Sequence, residues 1–273
     1  MFKNKVIWIT GASSGIGEAL SKAFALEGAN LVLSGRNQDA LSRVANQCEG
    51  ASGVKIVPFD IADEAATHAA AQTVLAEPGT VDMLINNAGI SQRSLAVETE
   101  MAAYRRLFDI DVFGQIALTK AVLPHMIERG SGHIAITSSV AGKIGTPFRT
   151  GYCAAKHAVM GYYDALRSEV AHKNIQVTTI TPGFIRTNIA KNAIRGDGQA
   201  FQGDDSSIEG GMDVDEAAKV IMQGFHKGRL EIPVGQGLEM HALRIKRFLP
   251  NVLFKMMNKQ YWKMAETNNI DAD

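Results

Sequence analysis

The sequence predicts a single α/β domain in which a parallel sheet carries helices on both faces. Two observations lead there. Short β-branched runs alternate with helical stretches from Lys5 to a last strand candidate ending at Pro233, and the first run passes through a glycine-rich turn straight into a helix. Parallel neighbours need crossover connections, and right-handed βαβ crossovers repeated along a chain place helices on both sides of the sheet. Composition agrees: 273 residues, 46% hydrophobic and 21% charged, make a chain able to bury one large core and exclude a disordered or fibrous class. No repeat and no linker divides it into two domains.

Lysine plus arginine and aspartate plus glutamate each number 28, so the net charge of +0 gives no global pull toward nucleic acid. Cys48 and Cys153 have no paired spacing, which argues against a disulfide framework and for a reducing compartment. The N-terminal MFKNKVIWITGASSGIG lacks a small-residue cleavage site and reads as a strand rather than a signal peptide. No apolar run reaches the ~18 residues of a membrane span. A soluble, cytoplasmic protein without a metal site is the expectation.

Taken in order, Lys5–Thr10 is the first strand, and Gly11-Ala12-Ser13-Ser14-Gly15-Ile16-Gly17 leads into the helix Glu18–Glu27. Glycines let backbone N–H groups approach a dinucleotide pyrophosphate, and the helix N-terminus faces it with its positive dipole end. A plain tight turn would have the same glycines; the strand–turn–helix context favours the cofactor. Asn30–Ser34 is the second strand, ending in Gly35-Arg36-Asn37. Gly35 offers no carboxylate for a ribose hydroxyl, while Arg36 offers a guanidinium for a 2′-phosphate, with Ser14 as an added hydroxyl. NADP(H) is therefore expected over NAD(H).

Asp39–Glu49 reads as a polar helix, Val54–Phe59 as the third strand with Asp60 at its end for the adenine amino group, and Ala65–Ala76 as a helix. Met83–Ile85 runs into Asn86-Asn87-Ala88-Gly89, placing amides and a close-approach backbone at the mouth of the sheet, where ligands of open α/β folds bind. Met101–Arg129 is a long helical stretch ending near Gly130. Gly132–Thr137 is a strand that enters Ser138-Ser139-Val140-Ala141-Gly142, and Gln176–Thr181 is another that enters Pro182-Gly183-Phe184-Ile185-Arg186-Thr187. The Gly-, Asp- and Ser-rich 188–214 stretch is long for a loop, as binding loops and lids are. Beyond Gly237 the tail is apolar and basic and is broken in two by Pro250. Such a segment can lie on an anionic membrane, but it more often packs over the protein's own pocket or a partner subunit, and packing is the expectation.

Gly151–Lys173 reads as one helix on which Tyr152 and Lys156 stand four residues apart. At that spacing two side chains rise from one face, roughly 5–6 Å apart at Cβ. A nearby ammonium favours the tyrosinate, which suits the phenol to give a proton to a carbonyl oxygen or take one from an alcohol. Tyr-x-x-x-Lys alone is a weak signal, since any surface helix can carry it.

The ordered set Thr10-Gly11-x-x-x-Gly15-Ile16-Gly17, Asp60, Asn86-Asn87-Ala88-Gly89, Ser139, Tyr152-x-x-x-Lys156 and Pro182-Gly183 through Thr187 is not weak. It resembles the short-chain dehydrogenase/reductase family in its shorter single-domain branch, over roughly residues 3–190. The resemblance implies a Rossmann-like, doubly wound fold with a seven-stranded sheet and a catalytic set of Ser139, Tyr152 and Lys156. It also implies a nicotinamide cofactor held by Gly11, Ser13, Ser14, Gly15, Ile16, Gly17, Arg36, Asp60, Ile61, Asn87, Ala88, Gly89, Tyr152, Lys156, Pro182, Gly183, Ile185 and Thr187. Family spacing picks Ser139 over its neighbour Ser138, and Thr187 would bond the nicotinamide amide. Pairing of the long helices around 101–128 and 152–171 into homodimers or homotetramers is typical of such proteins.

One position departs from the pattern: Asp111 stands where the family usually has an Asn whose backbone supports a proton-relay water. A backbone role tolerates Asp, but an ionised Asp111 near Lys156 would cancel part of the field acting on Tyr152. The reading that emerges is an NADP(H)-dependent oxidoreductase interconverting a ketone or aldehyde and its alcohol. A nucleotide-sugar epimerase or dehydratase is the alternative, disfavoured by the three-residue gap between Gly11 and Gly15 and by the lack of a larger C-terminal domain. A non-catalytic NADP(H) sensor is a third. Residues near Ile90–Ala96, Ala141–Thr150 and the 188–214 loop are expected to line the substrate pocket, with Phe148, Phe184, Ile189 and Phe201 giving it apolar character.

Overall fold

A computed structural model describes residues 1–201, 203 and 206–267. Seven parallel strands form one sheet: β1 (Val6–Thr10), β2 (Asn30–Ser34), β3 (Gly53–Ile56), β4 (Met83–Asn86), β5 (Gly132–Thr137), β6 (Ile175–Pro182) and β7 (Glu231–Val234), in the order β3-β2-β1-β4-β5-β6-β7. Order reverses between β1 and β4, which pair through Ile7–Met83 to Ile9–Ile85. That reversal opens a crevice above the strand C-termini.

The central strands are buried on both faces, which is why they read as continuous apolar runs rather than alternating ones. On one side α1 (Gly15–Leu26) and α8 (Val214–His226) cover the sheet, and Ile7, Ile9, Phe24, Leu33 and Phe225 meet in the core. On the other side α3 (Glu64–Ala76), α5 (Gly114–Arg129) and α6 (Thr150–Val170) enclose Trp8, Val32, Leu84, Val122 and Tyr163. The fully buried Trp8 keeps its indole donor satisfied at Ser34 Oγ, 2.9 Å away. α2 (Gln38–Asn46) flanks β2, capped by Asn37, whose side chain accepts from Ala40 N. Both cysteines are buried and free.

The stretch expected as one helix over Met101–Arg129 is instead α4 (Met101–Phe108), a π turn (Asp109–Phe113) and α5. Gly114 marks the join, where its N–H reaches back five residues to the Asp109 carbonyl. A Cβ on Gly114 would lie 2.2 Å from the Ile61 carbonyl oxygen, so the helix is pressed against the loop after β3. Helical periodicity looks the same on either side of one inserted residue, which is why the sequence does not show the break. α6 ends at Val170 and a 3₁₀ turn (Ala171–Lys173) completes the expected length, closed by left-handed Asn174. Among its described residues the 188–214 stretch contains the short α7 (Ser206–Glu209) and is otherwise irregular up to the start of α8, tied back by Ile194 N to Ser91 O at 2.8 Å and Glu100 N to Gly196 O at 2.9 Å. The tail breaks as expected into α9 (Leu238–Phe248) and α10 (Pro250–Thr267).

At the start of β5, burial pushes the His133 imidazole down to about 4. Its Nε2 lies 2.8 Å from Thr178 Oγ1 and its ring stands edge-on to Phe225. A histidine depressed in the folded state stabilises above its unfolded value and loses that stability as the pH falls. Unfolding free energy should therefore drop by about 3 kcal/mol between pH ~6.5 and ~4. Urea midpoints over that window check this, and His133→Gln should flatten the slope.

Candidate active site

The glycine turn is shaped by close approach. Gly11 and Gly15 adopt φ of +63° and +57°, in the left-handed region. A Cβ on Gly11 would sit 2.8 Å from Ala88 Cα, and one on Gly17 would sit 2.2 Å from the Gly11 carbonyl oxygen. β1 and β4 are locked at their ends: Thr10 Oγ1 accepts from both Asn87 N and Ala88 N at 3.0 Å, and Asn87 Nδ2 donates to Thr10 O at 3.1 Å. The neighbouring Asn86 faces the other way, fully buried, donating to Thr119 Oγ1 at 2.8 Å and Tyr163 OH at 3.0 Å. Of the two asparagines, then, only Asn87 reaches the crevice.

The crevice, about 470 Å³, runs along the C-terminal ends of the strands and is lined by every expected cofactor residue except Gly17, together with Ser139. Gly17 is buried behind the turn. Arg36 stands exposed at one edge and makes no hydrogen bond or ion pair with another described residue. Asp60 holds the following loop by accepting from Ala62 N at 3.1 Å. Thr187 lies over the turn, its Cγ2 3.2 Å from where a Gly15 Cβ would be.

Two supports of this half were not visible in sequence. Arg43 on α2 grips Glu18 with two bonds, at 2.9 and 2.7 Å, and the Ser13 carbonyl at 3.1 Å. The Arg43 hydrogen bond holds the Glu18 carboxyl down to about 2, against the opposing pull of burial. The carboxylate is thereby compensated beside a turn whose chemistry suits phosphate. The other support is fully buried Gln92, whose Oε1 accepts from Gly151 N at 2.7 Å and Tyr152 N at 3.3 Å, capping α6. Both bridge residues 25 or more apart, beyond any local pattern.

The two serines after β5 both border the crevice but commit their hydroxyls differently. Ser138 Oγ turns inward and donates to the Lys156 carbonyl at 3.1 Å. Ser139 lines the crevice, accepting from Ala141 N at 3.0 Å and donating to Pro182 O at 3.3 Å. Tyr152 and Lys156 line the same crevice from α6, 7% and 4% exposed, with the ammonium 5.6 Å from the phenol ring centre.

Asp111 does not line it. The π turn buries this residue completely, with Oδ2 3.0 Å from Lys156 Nζ and Oδ1 accepting from Ile90 N at 2.8 Å. Lys156 also donates to Thr137 O at 3.2 Å. Gly89 packs against this pair: a Cβ there would stand 3.2 Å from both Asp111 Oδ2 and Lys156 Nζ. Burial raises the Asp111 carboxyl above the ordinary carboxylate range despite Lys156. Burial works the other way on the lysine, but the negative charges of Asp111 and Tyr152 together outweigh it and raise Lys156. The two groups titrate as a pair.

At the substrate end Phe184 and Ile189 line the crevice as expected, whereas Phe148 and Phe201 do not. Phe148, at φ +62°, turns away to stack on Tyr261 of α10, ring centres 5.6 Å apart. Glu239, from the first turn of α9, enters the crevice wall unforeseen and approaches Gly183 so closely that a Cβ there would be 2.7 Å from its Oε1.

Residues 5–197 match the short chain dehydrogenase family. A mouse protein described as dehydrogenase/reductase SDR family member 7B is 39% identical over 260 residues, covering 93% of this chain and 80% of the mouse protein. A short-chain dehydrogenase from Sphingobium yanoikuyae, solved in complex with NADPH, superposes with a TM-score of 0.74 at 29% identity, covering 84% of this chain and 87% of that one. A Burkholderia phymatum enzyme solved with NAD shares the fold, with a TM-score of 0.81 at 24% identity over 90% of this chain and 94% of that one. The chain is a member of the short-chain dehydrogenase/reductase family, an oxidoreductase built on a fold that binds a nicotinamide dinucleotide.

Proposed function

We propose that this oxidoreductase interconverts a ketone or aldehyde and its alcohol with NADP(H), using Tyr152 as the proton donor and acceptor. The observation that carries the proposal is the convergence of Ser139, Tyr152 and Lys156 on one wall of the crevice that the glycine turn opens. The turn fits a dinucleotide because Gly11 and Gly15 leave no Cβ between backbone and ligand, and because α1 begins there with the Ser14 hydroxyl exposed and uncommitted to its cap.

Hydride transfer is the chemistry the nicotinamide supplies when bound. In the reducing direction Ser139 Oγ donates a hydrogen bond that orients the carbonyl oxygen, and Tyr152 delivers its proton to that oxygen as negative charge develops. Lys156, held in place by Asp111 and the Thr137 carbonyl, keeps a positive charge beside the phenol through the cycle. Reversing the same steps oxidises an alcohol.

Arg36 supports NADP(H): it is an exposed guanidinium at the crevice edge, unpaired among the described residues, with no carboxylate at position 35. The NADPH complex of the Sphingobium relative is consistent with this preference. A charge-assisted contact to a 2′-phosphate is worth ~1.5–3 kcal/mol, so Arg36→Ala should raise the KM for NADPH by about 10- to 100-fold and leave that for NADH nearly unchanged. Initial rates with both cofactors over a panel of aldehydes, diketones, quinones and keto-acyl thioesters test the reaction and the preference together. Equal use of NADH by the unaltered protein would remove Arg36 from the cofactor site.

A further inference from the structure

The tail meets the body with one face and leaves the other bare. Inward, Ala242 and Leu253 pack on Val140 and Ile144 beside the crevice, with Met240 and Leu243 around them. Outward, α9, α10 and their junction expose Leu238, Phe248, Leu249, Val252, Met256 and Trp262, each more than 40% accessible. The cations Arg244, Arg247, Lys255 and Lys259 are exposed on the same two helices.

Charge is segregated here. Between Met240 and Ala265 there are six lysines and arginines (244, 246, 247, 255, 259 and 263) and no aspartate or glutamate. The whole chain carries 28 of each sign, so the remainder holds 22 cations against 28 acids, a balance of −6. The acidic residue of α9, Glu239, is turned into the crevice and does not offset the outer face.

We infer that the outer face of α9–α10 docks on an anionic lipid surface, with its aromatic and aliphatic side chains in the headgroup boundary and its cations on lipid phosphates and carboxylates. Large apolar side chains interleaved with lysine and arginine, with no acid among them, match that chemistry. A second copy of this chain fits it badly, because a two-fold contact through this face would set one cationic surface against another. Nucleic acid would pair with the cations but leave Phe248, Val252 and Trp262 without a partner. No described helix is long and apolar enough to cross a bilayer, so the contact is peripheral. The inference concerns this face alone and stands apart from the reaction assigned to the crevice.

Trp262 is a built-in reporter, because the other tryptophan, Trp8, is fully buried. The full chain should be titrated with phosphatidylcholine vesicles containing about 30% phosphatidylserine, and with phosphatidylcholine alone, following tryptophan emission and co-sedimentation. The expected result is a blue shift and about tenfold stronger partitioning onto the anionic vesicles, weakened as salt rises. Lys255→Glu with Lys259→Glu should abolish it while thermal unfolding in solution stays unchanged, and Trp262→Ala should weaken sedimentation and remove the shift. Equal binding to both vesicle types, absence of binding, or binding that survives the double charge reversal would each overturn the inference. So would a concentration-dependent dimer that quenches Trp262 accessibility and excludes vesicles.

Discussion

Tyr152→Phe is expected to lower kcat by roughly 10²–10⁴-fold, the usual worth of a positioned acid–base group, with NADPH affinity unchanged. The variant removes one hydroxyl and keeps the ring. Gln92 caps the helix through backbone N–H groups, so that contact does not depend on the hydroxyl. Loss of turnover with intact binding would separate a chemical role from a structural one. Steady-state rates paired with a fluorescence titration of bound NADPH read the two quantities independently. A Phe variant that turned over at near wild-type rate would move the proton transfer to another group.

The second large effect lies at Asp111. Asp111→Val should destabilise the protein by roughly 3–5 kcal/mol, because it leaves the Lys156 ammonium buried without its counter-charge. Asp111→Asn keeps one acceptor oxygen, enough for Ile90 N or Lys156 Nζ but not both, and should cost less than Val. The pH dependence distinguishes them from simple cavity effects. With Asp111 present, Lys156 is raised in the folded state, so it contributes stability below its unfolded value of about 10.4 and loses it only as the pH climbs through the raised folded value. Without that carboxylate, burial acts on Lys156 against a weaker opposition. The variant should then lose stability as the pH falls from the alkaline range toward neutrality, the reverse slope. Chemical denaturation at several pH values measures this. Activity of the Asn variant should persist with a displaced pH–rate curve, and an unmoved curve would show that the Asp111 charge does not reach the chemistry.

What was legible in sequence follows from the range of the interactions involved. Strand runs such as Val6–Thr10 and turn glycines such as Gly11 and Gly15 write their structure locally, through β-branching and the need for left-handed backbone. The i, i+4 spacing of Tyr152 and Lys156 fixes their common face before any tertiary contact forms. Asp111 stands out in the sequence as a departure, but its burial depends on a π turn that ends at the Gly114–Ile61 contact, which no periodicity records. Arg43, Gln92 and Glu239 were missed for the same reason, since each acts on residues far along the chain. Phe148 was misplaced because its left-handed backbone turns the ring toward α10 instead of the crevice.

The tail rests on a small foundation. A small cluster of buried side chains, Val140, Ile144, Ala242 and Leu253, anchors it together with the Phe148–Tyr261 stack, where the sheet is held between two extensive clusters that include Trp8, Phe24 and Tyr163. Local opening free energy scales with such burial, so α9 and α10 form a unit that detaches at far less cost than global unfolding. Their amide protons should exchange with solvent well ahead of those in β1. Every such excursion uncovers Val140 and Ile144 and withdraws Glu239 from the crevice wall, so the substrate end changes shape while the glycine turn and the Tyr152 helix stay folded.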